Sequence, residues 1–128
     1  MIVDTSALVA VVLGEPDAEA HLKALAGAAS LALSAATLTE ALIVTEARQG
    51  REAATDLLAL LAELEAEVVS LDEAQAERAA AAWRRFGTGR HPAGLNYGDT
   101  FSYALAMTRG EPLLFKGGDF AATDVPQA

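Results

Sequence analysis

Short apolar blocks alternate along this chain with longer stretches in which apolar residues recur every three or four positions. The first block is Ile2-Val3, a β-branched pair suited to a buried strand, and it runs directly into Asp4-Thr5-Ser6. Residues 7–13 are wholly apolar up to Gly14 and predict a buried helix, and Gly14-Glu15-Pro16-Asp17 is a turn. Asp17 is placed to cap a helix over 18–28 with Leu22 and Leu25 on its inner face. A second strand is expected at 31–33. Leu38, Ala41, Leu42 and Thr45 then share one helical face before Gly50, and Leu57, Leu58, Leu61 and Leu64 form a stripe over 51–64. These two helices predict a hairpin. Strand three falls at 68–71, followed by a helix over 73–85 with Trp83 and Phe86 on its packed side. Three glycines and a proline make 87–94 a loop, expected to be mobile beside a site, in which His91 receives no catalytic role. Asn96 caps a last long helix that ends near Gly110, strand four is expected at 113–115, and Val125 is placed to add a short edge strand.

Strands alternating with helices predict an α/β fold, with a central parallel sheet covered on both faces and right-handed crossovers. At 128 residues, a single domain over 1–128 is expected. Cysteine is absent and only His21 and His91 are present, which argues against disulfides and against an all-protein zinc site. No basic leader and no uncharged run of about 18 apolar residues is found, so a soluble cytoplasmic protein without a membrane span is expected.

Charge first counts against a nucleic-acid partner, because 9 basic and 18 acidic residues leave a net −9. The bases are uneven, however: Arg78, Arg84, Arg85, Arg90, Arg109 and Lys116 all fall between 78 and 116. That leaves room for a local basic rim.

The acids carry the candidate chemistry. Asp4 and Asp119 each follow a predicted strand, while Glu40 and Asp99 lie near predicted helix starts. In a parallel sheet, strand ends and helix starts meet at one edge, where ligands bind. Each acid also has a plainer explanation. Thr37-Leu38-Thr39-Glu40 fits a capping box, Asp99 sits in a first helical turn, and Asp119 can cap a short turn. Gathered together, two unit charges ~4 Å apart repel by about 4 kcal/mol at an effective dielectric near 20. Several such pairs rival a domain's whole stability, about 5–15 kcal/mol, so protons or a hard cation must neutralise them. Oxygen-only ligands suit Mg²⁺ or Mn²⁺, which activate a water toward a phosphodiester. Thr5 and Ser6 can hydrogen-bond either the carboxylates or a phosphate oxygen. A phospho-accepting receiver domain is the competing reading, with Asp4, Asp72 and Lys116 in its key positions; a module that binds RNA or protein without cutting is a third.

Met-Ile-Val-Asp-Thr-Ser-Ala at 1–7, Thr39-Glu40, the segment 89–99 ending in Leu-Asn-Tyr-Gly-Asp, and Leu-Leu-Phe-Lys-Gly-Gly-Asp-Phe at 113–120 together resemble the PIN-domain family. Within it, the chain resembles the VapC-type toxins of bacterial toxin–antitoxin pairs. The resemblance runs over essentially the whole chain. It implies a three-layer α/β/α PIN-like domain around a parallel sheet of four to five strands. It further implies an endoribonuclease dependent on Mg²⁺ or Mn²⁺ whose metal pocket uses Asp4, Glu40, Asp99 and Asp119, with Thr123 and Asp124 in support. A homodimer and inhibition by a small VapB-type antitoxin protein are part of the same implication. On that footing RNA is expected to enter along Arg84, Arg85 and Arg90. Asp4 and Asp99 are expected to bind metal directly, with Glu40 and Asp119 acting partly through water.

Overall fold

A computed structural model describes residues 1–128. The chain runs β1 (Ile2–Val3), α1 (Thr5–Val12), α2 (Ala18–Gly27), β2 (Ala32–Ser34), α3 (Ala35–Gln49), α4 (Arg51–Glu63), β3 (Glu67–Val69), α5 (Glu73–Phe86), α6 (Tyr97–Arg109) and β4 (Leu113–Leu114). A 3₁₀ turn at Phe120–Ala122 follows. The strands form one parallel sheet in the order β3-β2-β1-β4, with Ile2 opposite both Ala32 and Leu113.

Each strand sends successive side chains to opposite faces, and that alternation builds two cores. Ile2, Ala32 and Leu113 point to the side covered by α5 and α6, where they meet Phe86, Leu95, Tyr103 and Leu105. Val3, Leu33 and Leu114 point to the other side, against Leu8 of α1, Leu25 of α2, Ala41 of α3 and Leu57 and Leu61 of α4. The expected three-layer α/β/α fold is therefore present, with α3 and α4 as a packed hairpin. No helix is long and apolar enough to cross a membrane.

Several local expectations shift. Leu22 and Trp83, expected on packed faces, are 41% and 44% exposed. Both lie on alanine-rich helices, where small residues on either side blur the apolar stripe. The short edge strand falls at Gln127, which bridges to Leu113, while Val125 is buried in the core. The segment 87–94 is tied down: Gly87 bridges to Leu95, and the His91 Nδ1 accepts from the Ala93 N–H at 3.0 Å. Gly110 closes α6 at φ +63°, the left-handed cap that favours glycine.

Candidate functional site

Asp4 leaves β1 at its carboxyl end and serves as N-cap of α1, where it is 3% exposed. Its Oδ2 accepts from the Ser6 N–H at 3.0 Å and the Ser6 hydroxyl at 2.7 Å, and its Oδ1 accepts from the Ser102 hydroxyl at 2.6 Å. Three of roughly four acceptor positions on the carboxylate are thereby used, leaving about one for a ligand. Ser102 and Thr37 lie 3.2 Å apart, both fully buried. Serine has a single hydroxyl proton, and Ser102 gives it to Asp4, so Thr37 donates to Ser102. Of the two hydroxyls expected to act beside Asp4, Ser6 holds the carboxylate, and Thr5 instead donates to the Thr37 carbonyl at 3.4 Å.

Asp99 is the third residue of α6 and completes a capping box with Asn96. Its carboxylate accepts from the Asn96 N–H at 3.0 Å, and its own N–H donates to the Asn96 side chain at 2.9 Å. Burial pushes its pKa up to about 7 against the lowering pull of the Asn96 bond, and the charges of Asp4, Asp119 and Glu40 push the same way. The capping role is real, and it also fixes this acid beside three others.

Glu40 has no capping role. The cap of α3 is Ser34, whose hydroxyl accepts from the Ala36 N–H, so Glu40 lies in the second turn. Its carboxylate rests on Gly98: a Cβ built there would stand 2.1 Å from Oε2 and 2.6 Å from Cδ. Only the missing side chain of Gly98 lets Glu40 reach in beside Asp99. Asp119 precedes the 3₁₀ turn, makes no capping bond, and is exposed.

All four acids line one cleft of about 320 Å³ at the carboxyl edge of the sheet. Two cations line it with them, Arg48 and Lys116. Arg48 went unread in the sequence although Glu40, Val44 and Arg48 are spaced four apart on α3 and share its inner face. Ser102, three residues beyond Asp99 on α6, and Gly98 were equally unread. No three of the acids stand close enough to close around an ion as they are, so they share a cleft without forming a tight ligand cluster. The donor chemistry nonetheless suits a hard divalent cation: every candidate donor is an oxygen, Asp4 retains acceptor capacity, and the charge pressing on Asp99 calls for compensation.

Other expected residues fall outside the cleft lining. The Thr123 hydroxyl donates to the Phe120 carbonyl at 2.7 Å and so braces the turn after Asp119. Asp124 accepts from the Tyr103 hydroxyl and from Arg85, and none of the three lines the four acids' cleft. The basic rim expected from Arg84, Arg85 and Arg90 is not at the cleft: Arg85 pairs with Asp124 at 3.0 Å, and Arg90 stacks on Trp83 and donates to the Arg84 carbonyl. Asp72 caps α5 through the Gln75 N–H, away from the cleft, which removes the receiver-like arrangement with Asp4 and Lys116. A larger cleft of about 640 Å³ lies elsewhere, between Trp83, Tyr97 and Phe101, and holds no acid or base.

The PIN domain family model matches residues 1–126. Ribonuclease VapC of Mycolicibacterium smegmatis is 49% identical over 125 residues, covering 98% of this chain and 97% of that protein. Among solved structures, Mycobacterium tuberculosis VapC20, described as a sarcin-ricin loop cleaving toxin, superposes with a TM-score of 0.83 at 20% identity, covering 99% of this chain and 97% of the other. VapBC2 of Rickettsia felis, solved bound to a DNA fragment from its promoter, gives 0.73 at 14% identity over 98% and 94% of the two chains. With the family model spanning nearly every residue and a full-length relative at this identity, the chain belongs to the PIN-domain family, in its VapC branch.

Proposed function

We propose that this chain, as one domain over 1–128, is a divalent-metal-dependent endoribonuclease that hydrolyses RNA phosphodiester bonds, and that it is the toxin of a toxin–antitoxin pair acting in the cytoplasm. The observation that carries this reading is the meeting of Asp4, Glu40, Asp99 and Asp119, from four separate stretches of chain, in one cleft. Kinship with Ribonuclease VapC supports the substrate class.

In this reading Asp4 and Asp99 bind Mg²⁺ or Mn²⁺ directly, while Glu40 and Asp119 act partly through water. Bound there, a divalent ion would supply Lewis acidity toward water and the phosphate. Ser6 and Ser102 hold the Asp4 carboxylate in one orientation, so little rearrangement is needed when a ligand arrives. Gly98 keeps Glu40 at the cleft wall, and the Asn96 box does the same for Asp99.

The same reading includes a VapB-type antitoxin protein as partner, by analogy with the VapBC2 assembly. It also includes a homodimer, supported by an uncovered apolar strip. Ile43, Trp83 and Tyr97 are 63%, 44% and 81% exposed, and Tyr97 and Phe101 line both grooves along it. The decisive assay incubates RNA with the protein and Mg²⁺ or Mn²⁺, then with EDTA. Metal-dependent cleavage that Asp99→Ala abolishes is expected. RNA left intact in every condition would favour a binding module that does not cut.

A further inference from the structure

The two cations of the cleft are already engaged, and both hold the same carboxylate. Glu15, in the turn after α1, pairs with Lys116 through Oε2 and stands 3.7 Å from the Arg48 guanidinium through Oε1. Lys116 also contacts Asp17 at 3.0 Å. Glu15, Arg48 and Lys116 all line the cleft with the four acids, and the Glu15 side chain is only 25% exposed.

Lys116 is also placed against the site through its backbone. Its N–H donates to the Ser6 hydroxyl at 2.9 Å, and that hydroxyl donates to Asp4. The Lys116 backbone is thus fixed two hydrogen bonds from the buried aspartate, while its ammonium reaches Glu15 and Asp17. Arg48 comes from a different element, two turns along α3 from Glu40. The two side chains converge on one anion from separate walls, an arrangement that also suits the oxygens of a phosphodiester, since lysine and arginine recognise phosphate by the same charge-assisted bonds.

An RNA strand entering a cleft of five carboxylates needs cations to hold its backbone, and Arg48 and Lys116 are the only ones lining it. Resting on the ribonuclease reading, we propose that Lys116 and Arg48 bind an RNA backbone phosphate flanking the scissile bond, and that Glu15 is an internal stand-in for that phosphate which substrate displaces. The Arg48 side chain is 61% exposed and that of Lys116 38%, so solvent reaches both pairs, and a phosphate that takes the place of Glu15 replaces one charge-assisted contact with another. Glu15 thereby lowers affinity for short or poorly placed strands and keeps the two cations ordered between substrates.

The test measures kcat and KM for a single-stranded RNA over a range of salt, with Mg²⁺ present and folding checked by circular dichroism. Lys116→Gln and Arg48→Gln are expected to raise KM more than they lower kcat. Each should also make the log–log salt dependence of kcat/KM shallower by about 0.7, the contribution of one phosphate contact to a single strand. Glu15→Gln is expected to act in the opposite direction, lowering KM severalfold. Three variants that all lose activity alike with an unchanged salt slope would mean a merely structural ion-pair cluster and overturn the proposal. If wild type cuts RNA and these slopes do not move, the phosphate assignment alone fails. If wild type does not cut RNA under any divalent metal, the ribonuclease reading fails and takes this proposal with it.

Discussion

Gly98→Ala isolates the position of one carboxylate without altering any charge. The added methyl would stand 2.1 Å from the Glu40 Oε2, whereas ordinary contact begins near 3.4 Å, so the Glu40 carboxylate must retreat by about 1.3 Å. Glu40 is the flexible partner and Gly98 lies in helical backbone, so the side chain yields and the helix stays. The fold itself should not suffer. Alanine is favoured over glycine in helices by up to about 1 kcal/mol, and it also reduces the freedom of the unfolded chain. Displacing a catalytic group by about 1 Å can cost ~10²-fold in rate, equivalent to about 2.7 kcal/mol of transition-state stabilisation. The expected pattern is an unchanged or raised melting temperature with single-turnover RNA cleavage down by about that factor. Because both changes act through the same carboxylate, adding Gly98→Ala to Glu40→Gln should cost little more than Glu40→Gln alone. Cleavage within twofold of wild type in a stably folded Gly98→Ala protein would refute the assignment of Glu40 to the site.

Ser102→Ala removes a donor from Asp4 and the acceptor of the Thr37 hydroxyl, both buried; a loss of about 1–3 kcal/mol in denaturant unfolding is expected, and an unchanged midpoint would contradict that hydrogen-bond relay. In EDTA, Asp99 sets a pH dependence of stability. Its folded pKa, about 7, lies above the ordinary 3.8, so between those values the folded state binds the extra proton and stability falls as pH rises through that window. Thermal melts of metal-free protein should decline across the window more steeply than those of Asp99→Asn, and parallel profiles would contradict the crowding of charge on Asp99. Trp83→Glu places a charge in the exposed apolar strip and should yield a monomer by light scattering; a dimer persisting at the same concentration would locate the interface elsewhere.

Much of this architecture could be read from local pattern. The apolar runs Ile2-Val3 and Leu113-Leu114-Phe115 marked β1 and β4 because buried parallel strands need no polar alternation, and Gly50 and Gly110 marked helix ends. Asp4 and Asp99 were legible because each stands at a strand end or helix start that the sequence announces. Glu40 was ambiguous for a definite reason: Thr37 to Glu40 has the spacing of a capping box, and only the Ser34 hydroxyl accepting from the Ala36 N–H shows that the helix starts three residues earlier. Ser102 could not be paired with Asp4 from sequence, since 98 residues separate them and Ser102 is one of several hydroxyls on α6, beside Thr100, Tyr103 and Thr108. The basic residues misled because clustering along the chain was taken for clustering in space. Arg85 and Arg90 have partners of their own, and of that set only Lys116, just beyond β4, lines the cleft, where Arg48 of α3 joins it.

The central claim is that acids distant in sequence form one basin that binds a divalent ion, and calorimetric titration of Mn²⁺ into metal-free protein tests it most directly. The account predicts saturable binding by wild type, weakened at least tenfold in Asp4→Asn and in Asp99→Asn, with both variants folded. Equal affinity in wild type and Asp4→Asn, or no saturable binding at all, would contradict it.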